Sequence, residues 1–595
     1  MREAAKMEKS TLNVRSARFG ALAGTALFAL ACSASPALAQ QSAGADMIIR
    51  NAKIVTVDSG FSIAQAAAIK DGKFVAVGSN AAVMKNAGPA TRIVDMGGKT
   101  VLPGFNDTHV HLTSGKNLEL QVDLTNIHSI KEIQDKIAAR VARSKKGEWI
   151  TGTRGWWEYD LSEGRLPTRF DLDKVAPDNP VAIPGPHYTI ANSLALKLAG
   201  VTRDTKDPQG GEVWKDPKTG EPTGLLMDNA GRFVSKFYPK PSHEQQIAGL
   251  RRVLSLVNSH GLTSAGDPGG SAEDMALFRE LHDTGQQSIR IDFSYSVDPA
   301  APLDQVEAQL KTLPAPGTNT GDGMLRSDEL GEVGLDGAEL TAFLSHDYPD
   351  RPGYRGLQKV PNDQFARFAV LANRYGWRLR PHAVGDAAID EAIQAFEAAN
   401  RDKSIVGKRW MIDHAFLLGP QHYAAVKQLG LIINSQYMHN YQLGALILKA
   451  WKRPLADRSE PYAEWLKNGV MFAGGSDGPI SYHAEPLLEI YGEVTRGTGW
   501  GGRLGPNQGI SRAEAIKSVT INGAYTSFEE KVKGSIEPGK YADFVVLSGD
   551  ILTVPPESIK NLKVLTTVLG GRPVYGELPG GATGTPAPNR TERGL

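Results

Sequence analysis

Pro103-Gly104-Phe105-Asn106-Asp107-Thr108-His109-Val110-His111 is a short run that ends in two histidines one residue apart. Alternate side chains of a strand point the same way. His109 and His111 at a strand end can therefore aim two imidazoles at one ion. His-x-His is a weak signal alone, and its weight comes from the rest of the chain.

Eight short apolar runs end in polar or Gly residues: 101–109, 262–267, 289–295, 329–337, 377–384, 410–415, 431–437 and 470–477. Helical patterns separate several of them, for example 363–375 and 386–399. Buried, non-alternating strands between helices predict a parallel sheet, and eight of them predict an α/β fold of the (β/α)8 TIM-barrel type. His382 closes the fifth run, His414 the sixth and Asp477 the eighth. Barrel active sites lie at the C-terminal strand ends, so four imidazoles and a carboxylate are expected to converge there. Neutral imidazole and carboxylate are the ligands of a hydrolytic, zinc-type centre.

The interval between the first two runs is too long for one crossover, so a large insertion is expected at about 116–245. Trp156, Trp157, Tyr159 and Trp214 fall in it, and Tyr437 ends the seventh run. They are candidates for an aromatic pocket above the metals, or for ordinary packing. Segments 47–57 and 65–78, with an Asp71-Gly72 turn, read as strands, as do 542–547 and 562–575 with a Gly570-Gly571 turn. They predict a small β-sandwich domain built from both termini, 40–103 with 526–577, around a barrel at 104–525. A Gly/Pro/Thr-rich tail, 578–595, is expected to be disordered.

Arg15 and Arg18 precede an apolar run, 19–31, and Ala37-Leu38-Ala39 follows. This is the pattern of a secretory signal peptide over 1–39, which predicts a periplasmic or secreted protein beginning near Gln40. Cys32 raises a lipoprotein alternative, but Leu30 stands one position late for a good lipobox. No later segment approaches a membrane span, so no stable membrane insertion is expected after processing.

The 595 residues are 41% hydrophobic and 22% charged, an ordinary globular balance. A net charge of +1 gives no reason to expect a nucleic-acid partner. A single cysteine excludes an intrachain disulfide framework and a cysteine zinc cluster. Homo-oligomerisation is left open. Gly474-Gly475-Ser476-Asp477-Gly478 fits G-x-S-x-G, but Pro479 stands where the helix of a serine-hydrolase elbow would start. A glycosidase would use two carboxylates and leave the strand-end histidines without a purpose.

These residues are where the chain resembles the amidohydrolase superfamily, in its amidohydrolase-3 (YtcJ-like) branch. The resemblance covers nearly the whole chain after residue 39. It includes Gly155-Trp156, Gly164-Arg165-Leu166-Pro167-Thr168, His187, Asn192-Ser193 and Gly220-Glu221-Pro222-Thr223-Gly224. It continues through Gly534-Ser535-Ile536-Glu537-Pro538-Gly539-Lys540-Tyr541-Ala542-Asp543.

The resemblance implies a metal-dependent hydrolase of amide-type C–N bonds with one or two divalent ions, zinc foremost. His109, His111 and Asp477 would hold one ion and His382 and His414 a second, joined by an anion from strand 4. Many relatives carry a Lys four residues before an Asp-Gly on that strand; this chain has Glu332 before Asp336-Gly337. No Lys lies between Lys311 and Lys359, so no carbamate can form there, and Glu332 supplies the same charge on a shorter arm. His187 is expected to contact the substrate carbonyl, although the family's Asp-Gly-His is altered to Gly185-Pro186-His187. Two divalent ions offset by Glu332, Asp477 and one hydroxide keep excess positive charge, which favours hydroxide at neutral pH. Asp477 would be general base and then acid. The expected partner is a small-molecule amide: N-acyl, N-formyl or aryl. A deaminase or cyclic-amide hydrolase with the same site, and a non-catalytic periplasmic binding protein, are the alternatives.

Overall fold

The computed structural model describes residues 44–579 apart from 126, 157, 159, 160, 186 and 480–482. The signal-peptide reading and Cys32 lie outside the described residues, as do Trp157, Tyr159, Pro186 and the tail from 580 onward. No helix among the described residues is long and apolar enough to cross a membrane.

Eight parallel strands make the central sheet: β1 (Phe105–Asp107), β2 (Leu262–Gly270), β3 (Arg290–Tyr295), β4 (Leu325–Gly334), β5 (Arg378–Ala383), β6 (Met411–His414), β7 (Ile432–Ser435) and β8 (Phe472–Gly474). They follow chain order around the sheet, the order of a (β/α)8 barrel. Just past β1, Thr108 N donates to Gly474 O at 3.2 Å and Asp477 N to His109 O at 2.7 Å, which joins the last strand to the first. Outside, helices bury apolar stripes: Phe365, Phe368, Ala369 and Ala372 on Asn362–Arg374, and Ala388, Ile389, Ala392 and Phe396 on Asp386–Asp402.

Each expected run overlaps one barrel strand, but the first divides. Thr100–Pro103 pairs with Phe544–Leu547 in a terminal sheet, and only Phe105–Asp107 enters the barrel. The handover falls at Gly104, where a Cβ would lie 2.1 Å from Thr263 Oγ1, so only glycine lets the chain pass β2.

The strands are less apolar inside than their buried reading implies. On β5 the alternation turns Arg378, Arg380 and His382 one way, while Leu379 joins the core under the helices. Arg378 pairs with Asp328 at 2.8 Å, and Arg380 Nε with Asp413 Oδ2 at 3.0 Å. The interior is thus a chain of matched charges beneath the histidines.

The expected strand 47–57 is two strands, Met47–Arg50 and Lys53–Val55, broken near Asn51 (φ 52°) and serving different sheets. Ile49, Ile69 and Phe74 of the four-stranded sheet share a core with Ile54, Val101 and Phe544 of the six-stranded one. The next residues along those strands, Leu102, Val545 and Leu547, join the barrel core. Asp71-Gly72 and Gly570-Gly571 all have positive φ, as the expected two-residue hairpin turns require. Leu578, where the tail is expected to begin, is buried in this core.

Between β1 and β2 lies a separate six-stranded sheet running from Gln121–Val122 to Pro222–Asp228. Its alternation divides it cleanly. Val181, Ile183, Leu225 and Met227 face one core, and Ala182 and Leu226 face another. The helix His243–Ser259 then returns the chain to the barrel, burying Leu250, Val253, Leu254 and Val257.

Candidate metal centre

His109 and His111 stand just beyond β1, which ends at Asp107, but the chain stays hydrogen-bonded to both sides. Val110 N donates to Gly266 O of β2 at 2.9 Å, and His111 N to Gly478 O at 2.7 Å. Alternation therefore continues past the formal strand end, and the two rings stand 5.1 Å apart. His382 lies in β5 and His414 ends β6. His414 (φ 70°) and Asp477 (φ 56°) adopt the left-handed backbone region, unusual for these residue types and common at functional sites.

Glu332 enters through a bulge. Gly331 pairs with Arg380 and Val333 with Pro381, which leaves Glu332 as the extra residue of β4. A bulge at a barrel rim re-aims a side chain, and this one turns into the histidines. Oε1 lies 2.7 Å from His382 Nδ1 and 2.8 Å from His414 Nε2. Oε2 faces His109 Nε2 at 3.8 Å and His111 Nε2 at 3.9 Å. Each carboxylate oxygen thus addresses one histidine pair. Asp477 Oδ1 lies 2.8 Å from His111 Nε2 and 3.5 Å from His109 Nε2.

The donor set suits a cation. His109 Nε2 is buried and has no hydrogen-bond partner among the described residues. Donor atoms of His109, His111 and Asp477 lie within 4.8 Å of one another, as do those of His109, Glu332 and His414. Burial opposes charge on Glu332, but the His382, His109 and His414 imidazoles outweigh it and hold the carboxyl well below its usual range. Burial is likewise outweighed at Asp477 by His109, His111 and His439. At His109, Asp413 and Glu332 overcome burial and push the imidazole up to about 10. The field that draws a proton to His109 would equally draw a metal cation. Burial and the neighbouring His414 push His382 down to about 4, leaving it in the neutral, ligating form.

Several supporting residues escaped the sequence reading. Asp413 Oδ1 lies 3.4 Å from His109 Nδ1, and Arg380 Nη2 lies 3.1 Å from the same nitrogen. Gln436 Oε1 lies 2.7 Å from His414 Nδ1. His439, on the helix after β7, puts Nε2 at 3.0 Å from Asp477 Oδ2. Asp413 and Gln436 are two residues and one residue from expected strand ends, a signal that could have found them. His439 sits in a helix and carried none.

His187 comes from the insertion, between strands Val181–Pro184 and Tyr188–Ala191, and its ring lies 5.5 Å from that of His382. Its Nδ1 is 2.8 Å from Asp228 Oδ1, an oxygen that also meets Lys359 Nζ at 3.1 Å. Thr341 Oγ1 donates to the other Asp228 oxygen at 3.0 Å. Burial notwithstanding, Lys359 and His187 hold the Asp228 carboxyl well down.

A narrow pocket, with a cavity volume of about 30 Å³, opens beside His187. Leu166, Met227, Leu340, Leu443 and Leu446 give it an aliphatic side, and Tyr188, Thr341, Glu158 and Glu339 also line it. Burial pushes the Glu339 carboxyl up to about 7. The expected aromatic lining is not found among the described candidates. Trp156 is fully buried in the insertion core, 5.7 Å from the Tyr188 ring. Trp214 is at the surface, with Nε1 on Glu212, and Tyr437 is buried against Arg496. Strand and helix packing claimed those rings.

A profile described as the amidohydrolase family matches residues 92–575. The chain is 30% identical over 548 residues to the protein LONG AFTER FAR-RED 3 of Arabidopsis thaliana, covering 89% of this chain and 92% of the relative. It is 27% identical over 545 residues to the N-substituted formamide deformylase of Arthrobacter pascens, covering 88% and 97%. Among solved structures, an uncharacterized metal-dependent hydrolase from Pyrococcus horikoshii superposes with a TM-score of 0.67 at 24% identity, covering 86% of this chain and 99% of that one.

Proposed function

The chain belongs to the amidohydrolase family, and from that premise we propose that it hydrolyses an amide-type C–N bond of a small non-peptide substrate at a divalent-metal centre. One observation carries the reading: Glu332 presents one oxygen to His382 and His414 and the other to His109 and His111. His109, His111 and Asp477 would hold one ion and His382 and His414 a second, with Glu332 between them. The nitrogen-rich donor set favours zinc. When bound, such ions supply the Lewis acidity that activates water and polarises a carbonyl.

The protein's own groups account for the proton traffic. Asp477 is an ionised carboxylate with His439 behind it, so it can accept a proton from water and return it to the departing nitrogen. Asp228 takes Nδ1 of His187 and leaves Nε2 for the substrate. A proton carried on Nε2 would be donated to the carbonyl oxygen. The deformylase relative supports amide hydrolysis as the reaction class.

Elemental analysis of the purified protein, with a panel of formamides, N-acyl amines, aryl amides and ureas, tests this reading. Metal together with turnover of at least one amide is the expected result. Metal-independent binding of amides without turnover would make the protein a binding module instead.

A further inference from the structure

We propose that the pocket beside His187 receives an aliphatic, ammonium-bearing part of the substrate, with Glu339 selecting the charge, so that amides of aliphatic diamines are favoured over neutral or anionic ones. This rests on the amide-hydrolase reading above and names its substrate class.

Around the centre, Glu332 is met by His382 and His414, Asp228 by Lys359 and Asp413 by Arg380. Glu339 is only 5% exposed, its Oε1 is buried without a hydrogen-bond partner, and no ion pair reaches it among the described residues. The nearby Tyr348 hydroxyl goes to the backbone oxygens of Glu339 and Ala342 rather than to the carboxylate. A buried carboxylate with no partner is costly, and a cation brought by a ligand relieves that cost.

The surroundings narrow the ligand further. Leu166, Met227, Leu340, Leu443 and Leu446 line one side of the pocket and suit methylenes, while the Tyr188 ring stands with the two carboxylates. Glu158 is a second carboxylate on the same pocket, and among the described residues no Lys or Arg lines it. The carboxylate of an N-acyl amino acid placed here would face two like charges, whereas an ammonium at the end of a short chain would be paired. His187 lines the same pocket, so the amide can lie at the metal side with the chain running towards Glu339.

The test compares three nearly isosteric substrates on the metal-loaded protein: N-acetylcadaverine (cationic), N-hexylacetamide (neutral) and ε-acetamidocaproate (anionic), with the N-formyl counterparts of the first two. The cationic amide is expected to exceed the neutral one in kcat/KM by about tenfold or more, the scale of a charge-assisted hydrogen bond, with the anion last. Glu339→Gln should collapse that ratio, and Glu339→Asp, which keeps the charge, should retain most of it. Calorimetry with hexylamine against hexanol gives a readout without turnover: tighter amine binding that Glu339→Gln weakens about tenfold. If no amide turns over while this selectivity persists, the hydrolase reading fails and the pocket assignment stands. Preference for the neutral or anionic amide overturns the proposal. So does equal loss on cationic and neutral substrates in Glu339→Gln, since that would assign Glu339 to packing or to the metal centre.

Discussion

Asp477 serves two sets of neighbours at once: Oδ1 faces His111 and His109, and Oδ2 faces His439. Asp477→Asn keeps the shape and removes the charge and the basicity. Turnover should fall by roughly 10²-fold or more, the scale of general acid–base catalysis, with only partial loss of metal, as read by steady-state kinetics beside elemental analysis. Near-normal turnover would remove Asp477 from the mechanism. Glu332→Gln should lower metal stoichiometry, most for the ion of His382 and His414, because the amide loses the charge both pairs share. A protein carboxylate needs no CO₂ to form, so metal should restore activity to the stripped wild-type protein equally with and without bicarbonate. Full metal and activity in Glu332→Gln would exclude the bridge. Asp228 acts through His187. Asp228→Asn should reduce kcat/KM by about 10- to 100-fold, the range for partners that orient a functional histidine, while metal content stays at the wild-type level. Loss of metal instead would place Asp228 in support of the centre itself.

At the level of elements, two local irregularities place the site. The β4 bulge turns Glu332 inward between residues that pair normally with β5. Its distance from Asp336-Gly337 was legible in the sequence. That it would be the unpaired residue was not, because a bulge depends on the partner strand's register. The other irregularity is Gly104, where the chain leaves the terminal sheet for the barrel. Gly104→Ala would put a methyl 2.1 Å from Thr263 Oγ1 and 2.8 Å from its Cβ. The backbone of β1 or β2 must then shift, so a loss of about 1–3 kcal/mol is expected, measured by denaturant unfolding. An unchanged midpoint would mean that β1 moves freely at this point, against the close packing of the two strands.

For the molecule as a whole, the cluster is a concentration of negative charge inside a barrel whose lower interior is already neutralised by Arg378 and Arg380. A bound cation should therefore stabilise the folded chain. Chelation should lower Tm, and added zinc should restore it in a concentration-dependent way, with about 2.7 kcal/mol gained at a hundredfold excess over Kd. A Tm indifferent to both treatments, in protein shown to lose and regain metal, would separate the centre from stability.

The periodic features were legible in the order of residues alone. Eight buried runs, the helices between them and the two-residue hairpin turns follow from side-chain alternation and backbone preference over a few neighbours, and they were legible one segment at a time. So was the convergence of the candidate ligands His109, His382, His414 and Asp477, because a barrel gathers its C-terminal strand ends at one mouth. What depends on which residues face one another emerges once the chain is folded. The division of the first run at Gly104 is set by Thr263, more than 150 residues away. Trp156 went to the insertion core and Tyr437 to Arg496 because packing partners, not aromatic character, decide where a ring goes. Asp228 meets His187, Lys359 and Thr341 from three separate parts of the chain, and Glu339 Oε1 is left without a hydrogen-bond partner among the described residues. Such pairings arise from contacts between residues far apart in the chain, and no local pattern encodes which of them will be satisfied.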